Sequence, residues 1–146
     1  MGSKTDGFEN ANLLHIFNNT AIANIGDASG LQPSAAAGDL YVALMTDATT
    51  CDDTNTGTEA AYTGYARVAV ARAGSGWTVS GNNCSNTNAV TFGICTAGSE
   101  VIRYANIYSA SSGGDRLYWG QLDNDLNVSN GITPEFAAGD LDINED

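Results

Sequence analysis

Apolar and polar residues alternate along this chain in short runs closed by turn residues, a pattern that predicts strands far more than helices. The longest uncharged apolar run spans residues 40–46. Leu40, Val42 and Leu44 fall on one side of an extended chain, and Tyr41, Ala43 and Met45 on the other. Gly38-Asp39 closes it in front and Thr46-Asp47 behind, so it reads as a strand buried on both faces. Its entry, Ala36-Ala37-Gly38-Asp39-Leu40, recurs as Ala137-Ala138-Gly139-Asp140-Leu141. The two strands are then either neighbours or two uses of one turn motif.

Period-two patterns continue downstream. Residues 64–72 alternate small with larger side chains, and 77–80 lead into the turn Ser80-Gly81-Asn82-Asn83. Residues 89–92 form a short apolar run. Residues 100–109 predict the longest strand, with Val101, Ala105 and Ile107 opposed to Ile102, Tyr104 and Tyr108. A turn cluster, Ser111-Ser112-Gly113-Gly114-Asp115, separates it from strands at 116–122, 126–128 and 140–143. Roughly eight strands with turns about every 8–12 residues predict an all-β fold, a β-sandwich of Greek-key or jelly-roll type. One helix precedes them at residues 6–19, where Asp6 and Glu9 form a candidate capping pair. Leu13, Ile16 and Phe17 make its apolar stripe, and Asn18-Asn19 ends it. The expected organisation is an arm, helix and connector over 1–38 and a β-sandwich domain over 39–146. Between the elements, 20–38 reads as a surface connector, and 48–61 as a polar loop that is either mobile or an interaction loop.

Charge narrows the possible partners. The 146-residue chain carries 17 acidic and 5 basic residues, a formal net charge of −12. Nucleic-acid binding requires clustered cations to neutralise phosphates, whereas Lys4, Arg67, Arg72, Arg103 and Arg116 are scattered. The same balance disfavours an anionic membrane surface. No apolar run approaches the roughly 18 residues of a membrane span, and no basic-then-apolar start resembles a signal peptide. Residues 121–146 hold seven carboxylates and no cation.

Candidate chemistry is sparse. Cys51, Cys84 and Cys95 lack metal-site spacing; Cys84 and Cys95 either bridge a hairpin or, with Cys51, are free thiols. His15, the one histidine, flanks the helical stripe without local partners for catalysis, so it reads as structural. No GxSxG, Walker or HExxH pattern occurs. Asp123-Asn124-Asp125-Leu126-Asn127 spaces oxygen side chains like a calcium loop, but Val128 and Pro134 stand where such a loop needs Gly and Glu. A solvated turn is the simpler reading, with Asp52 and Asp53 as another candidate calcium pair. Trp77, Trp119 and the tyrosines read as packing residues. No catalytic residue, metal site or cofactor is predicted.

An ordered series of segments resembles a known family. It comprises Leu13-Leu14-His15-Ile16-Phe17, Leu40-Tyr41-Val42-Ala43-Leu44-Met45-Thr46, Gly64-Tyr65-Ala66-Arg67, Ile107-Tyr108-Ser109-Ala110-Ser111-Ser112-Gly113-Gly114 and Leu117-Tyr118-Trp119-Gly120-Gln121-Leu122. It closes with Asn130-Gly131-Ile132-Thr133-Pro134-Glu135-Phe136-Ala137-Ala138-Gly139-Asp140-Leu141. Together they resemble small virion proteins of tailed bacteriophages, described as tail-fibre-like or as head decoration (cement) proteins. The chain departs from that pattern in its three cysteines, its long polar connectors and its ending Asn144-Glu145-Asp146. The resemblance implies a non-enzymatic capsid decoration protein on the outer head surface, made in the host cytoplasm. It would bind the major capsid protein, bridge coat subunits and form a homotrimer. The alternative is a tail-fibre or receptor-binding module that recognises host surface glycans. Phe8, Leu13, Ile16, Phe17, Arg67 and Arg72 are the candidate coat or subunit contacts. Each arginine either neutralises a nearby carboxylate or anchors an acidic group of the partner.

Overall fold

In the computed structural model, which describes residues 2–145, the central apolar run forms strand β1 (Asp39–Thr46). Asp146 of the acidic ending lies outside the described residues. From Val42 to Thr46 every residue of β1 is buried, so both faces of the strand are covered as its pattern predicts. The remaining elements are helix α1 (Asp6–Asn18) and strands β2 (Val68–Ala71), β3 (Trp77–Ser80), β4 (Asn83–Asn86), β5 (Val90–Thr91), β6 (Ser99–Tyr108), β7 (Arg116–Ser129), β8 (Glu135–Phe136) and β9 (Asp142–Asn144). They build three sheets, ordered β2-β1-β6-β7, β3-β4-β9 and β5-β8. The fold is all-β of the sandwich class with a single N-terminal helix.

Contacts gather the chain into two units. One comprises Met1–Asp39, Val70–Ala89 and Phe136–Asp146; the other comprises Leu40–Ala69 and Val90–Glu135. In the first, α1 lies against the β3–β4 hairpin. Glu9, Leu13 and Phe17, four residues apart, form the buried stripe, and the Phe17 ring meets Trp77 with centroids 4.9 Å apart. Ile16 is only half-buried. The predicted capping pair does not form: the N-cap is Thr5, which has no side-chain cap bond, and its carbonyl accepts from the Phe8 and Glu9 amides. Asn19 closes the helix in the left-handed region (φ 51°), and its side-chain amide exchanges two hydrogen bonds with the Ser34 backbone. The His15 ring bonds the Thr20 carbonyl, a local structural contact. Asn86, buried in β4, accepts from the Leu141 amide and donates to the Asn88 and Ala137 carbonyls. The bonds to Ala137 and Leu141 fix the segment that leads into β9.

In the second unit, β1 pairs antiparallel with β6, and β6 with β7. Two expectations need correction here. Strands predicted at 116–122 and 126–128 are one, β7, which at 14 residues is longer than β6. Tyr104 faces Gln121 and Ile102 faces Leu126, so the residues between Gln121 and Leu126 bulge opposite Arg103. Asp123-Asn124-Asp125 therefore sits on a bulge and not in a turn, and the Arg103 guanidinium bonds Asp125 at 2.7 and 3.0 Å across the strands. The alternating stretch 64–72 is a strand only from Val68, because Gly64 takes φ +106°. A Cβ there would approach the Ile94 carbonyl oxygen to 2.1 Å, so the position admits only glycine.

The repeated Ala-Ala-Gly-Asp-Leu entries prove to be two uses of one motif. Gly38 and Gly139 both adopt positive φ, but the strands that follow belong to different sheets. All three cysteines are buried and free. Burial and the charge of Asp142 push the Cys84 thiol up to about 12, so it stays protonated and inert.

Phe17→Ala should cost about 3–5 kcal/mol of stability by opening a cavity against Trp77, whereas Phe8→Ala, at an exposed site, should stay within about 0.5 kcal/mol. Urea denaturation of the two variants checks this; equal losses would mean that α1 does not pack as described.

Candidate partner-binding surface

The residues singled out for partner contact separate by what they touch. Leu13 and Phe17 have no exposed surface, while Phe8 is 39% exposed. Among the described residues Arg72 is bonded to carbonyls and a hydroxyl and to no carboxylate. Its Nε and Nη2 donate to the Ile16 and His15 carbonyls at 2.5 and 2.7 Å, and Nη1 reaches Ser34 Oγ at 3.1 Å. It neutralises the negative end of the α1 dipole and ties that end to the connector.

Arg67 does pair with a carboxylate. Its Nε and Nη2 each donate to an oxygen of Glu59 at 2.8 Å, a bidentate clamp, and Nη1 donates to the Ala110 and Gly113 carbonyls. The guanidinium lies 3.7 Å from the centre of the Tyr108 ring. Tyr65 completes the cluster: its hydroxyl donates to Glu59 at 2.8 Å and accepts from the Leu44 amide at 3.2 Å. The Gly64-Tyr65-Ala66-Arg67 segment thus joins β1, Glu59 and the Ser111-Ser112-Gly113-Gly114 turn. Burial alone would raise the Glu59 carboxyl, but hydrogen bonds from Arg67 and Tyr65 and the charge of Arg67 together outweigh it and hold Glu59 below the usual range. Burial, followed by the bond to Glu59, raises the Tyr65 phenol, which stays neutral.

The polar stretch 48–61 is an anchored loop. Asp52 Oδ1 accepts from the Thr54 amide and hydroxyl and from the Asn55 amide, and these bonds hold its carboxyl below its ordinary value. Arg116 donates to the Asp52, Asp53 and Asn55 carbonyls, and the Trp119 indole donates to Asp53 Oδ1 at 2.9 Å. Underneath, Cys51 joins Ala43, Met45, Tyr104 and Tyr108 in a buried cluster. Asn106, fully buried in β6, donates to the Thr56 carbonyl at 3.1 Å. Asp52 and Asp53 are committed to this loop rather than to an ion, and no group of three or more His, Cys, Asp or Glu among the described residues is arranged to hold a metal. The sequence carried one sign of this anchoring: Asn106 is polar between the apolar Ala105 and Ile107 of β6, so when buried it required a partner.

All five cations are engaged within the chain, Lys4 with Glu145 and Arg103 with Asp125. Large apolar side chains still reach solvent: Phe8 on α1, Ile94 at 50%, Leu117 and Trp119 on β7, and Ile132. Residues 4–144 match the family described as podophage GP4 fiber I protein gp80. The chain belongs to that family, and so to the structural proteins of a phage virion. No curated protein matches it.

Glu59 is depressed in the folded state, so its contribution is complete above its unfolded value and is lost as pH falls toward its native one. Wild-type stability should therefore decline as pH drops through about 4.3 and below, and Glu59→Gln should be less stable at neutral pH with a flatter acid limb. Arg67→Met should cost about 3 kcal/mol by leaving Glu59 partly buried without its partner. Denaturation measured at pH 7 and pH 3.5 checks both.

Proposed function

We propose that this chain is a non-enzymatic fibre subunit on the outside of the phage particle, assembled as a homotrimer and attached through contacts with other virion proteins. The match over residues 4–144 to a family described as a fibre protein carries this reading. Two physical features support it. A net charge of −12 is repelled by packaged DNA, which favours an exterior position. The bidentate Arg67 clamp and the anchored 48–61 loop make a preorganised body whose contacts lose little conformational freedom on docking.

Decoration of the head shell, with the protein bridging neighbouring coat subunits, is the second reading. It shares the external position that the charge of the chain favours. Bridging would couple several modest contacts through one molecule and raise the shell's resistance to internal pressure. In either reading Phe8 is the most accessible of the candidate contacts on α1. Removing residues 1–19 would also remove Leu13 and Phe17 from the core, so a point substitution is the cleaner probe of that helix.

Gold labelling of an epitope-tagged chain on purified virions separates the readings. Label confined to discrete fibre positions supports the fibre subunit. Label spread over the head faces supports decoration, and virions without label overturn both. Phe8→Glu should lower the copy number on the particle at least tenfold while leaving the melting temperature unchanged; normal occupancy would remove α1 from the contact.

A further inference from the structure

The two ends of α1 are held by different means. Toward its C-terminus Leu13 and Phe17 are fully buried, Arg72 clasps the Ile16 and His15 carbonyls, and Asn19 is bonded to Ser34. At its N-terminus residues 2–8 are all exposed, and the buried stripe starts only at Glu9. Thr5 makes no side-chain cap bond, and Gly7 lies in the first turn with open space around it. A glycine there weakens the turn relative to alanine. The arm is tied to the rest of its unit through Lys4, which pairs with the Glu145 carboxylate. Glu145, only 8% exposed, directly follows β9. Its amide donates to the Asn82 carbonyl at 2.9 Å, and Asn82 Nδ2 donates to its carbonyl at 3.2 Å, so its backbone is fixed on the β3–β4 turn. Its side chain takes Lys4 on one oxygen and Asn12 Nδ2, at 3.0 Å, on the other. A carboxylate so far withdrawn from water needs such partners, and it finds both on the N-terminal segment.

We infer that residues 2–8, the arm and the first turn of α1, form a strap that opens and closes against the body of the protein, with Glu145 as the latch that holds it closed through Lys4. The latch is a property of the chain alone, independent of whether the protein serves as a fibre subunit or as head decoration. Segments with few buried contacts open at low free energy while the rest of a fold persists. The helix therefore unwinds from its N-terminal end as far as Glu9, where burial begins, and the clasp of Arg72 keeps its other end in place. Opening carries Phe8 away from the fixed part of the helix. The released arm, fully extended, spans roughly 24 Å, so the Lys4–Glu145 pair decides whether the arm lies on the body or reaches outward.

Lys4 is the one lysine of the chain, so a lysine-specific endoprotease can cut the full-length protein only after it. The cleaved segment must be extended, so at low protease the rate reads the open population. Wild type should be cut at least tenfold more slowly than a free peptide of residues 1–12. Glu145→Gln leaves one acceptor oxygen where two donors converge and removes the charge that holds Lys4; it should speed cleavage about fivefold or more at an unchanged melting temperature. Gly7→Ala stiffens the first turn and should slow cleavage about fourfold. Asp39→Asn, which removes an exposed carboxylate that the arm does not touch, should be cut like wild type. If Glu145→Gln lowers the melting temperature, Gly7→Ala carries the test. Wild type cut as fast as the free peptide, a Glu145→Gln rate equal to wild type, Gly7→Ala cut no more slowly than wild type, or Asp39→Asn cut as fast as Glu145→Gln would each overturn the latch.

Discussion

The antiparallel pairing of β1 with β6 is the interaction on which the second unit depends. Tyr41 to Leu44 face Tyr108 to Ala105 in unbroken register, and β1 is buried on both sides. A strand with two apolar faces must have both covered, so the sequence around it has to supply a lid. The 48–61 loop provides one through Cys51, which joins Ala43 and Met45 in a single cluster. A loop over a dry core brings polar backbone with it, and every such group needs a partner. Asn106 answers from below and Arg116 from the side. The Tyr65 hydroxyl meets the Leu44 amide in the same way, and Glu59 and Arg67 in turn hold Tyr65 and the turn beyond it.

This explains how the few cations are used. In a chain so acidic, a free arginine would be the obvious anchor for a partner. Here Arg67, Arg72 and Arg116 all bind main-chain carbonyls, and Arg67 adds a bidentate carboxylate. A planar guanidinium with several donors suits several carbonyls at once, which a lysine ammonium does not match. The arginines thus serve cohesion.

Much of this was legible in the sequence, for identifiable reasons. Residues 40–46 announced a strand because no charge interrupts either face, and the Ser80-Gly81-Asn82-Asn83 turn marked the β3–β4 hairpin that forms. The helix was readable from Leu13 and Phe17, but its cap was not, since Asp6 and Glu9 imitate a capping pair one position inside the true start at Thr5. The bulge in β7 was hidden because Asp123-Asn124-Asp125 has turn composition, and only the cross-strand bond from Arg103 shows why it stays in the ladder. The burial of the candidate contacts was only partly legible. Periodicity found the apolar stripe of α1, but it could not tell Phe17, packed against Trp77, from the exposed Phe8. The exposure of Leu117 and Trp119 was not legible, because their alternation reads as packing until the sheet order places β7 at an edge.

The proposed assembly would draw on this division between fastened loops and an acidic exterior. Loops already fastened internally would dock with little rearrangement, and the negative charge would favour contact at carboxylate-free surface. Hydrogen exchange compared between the free protein and purified virions tests that account most directly. It predicts new protection on the particle at residues 116–122 and around Phe8, with the already anchored 48–61 loop unchanged. Protection centred instead on the 48–61 loop, with residues 116–122 exchanging as they do in free protein, would contradict it.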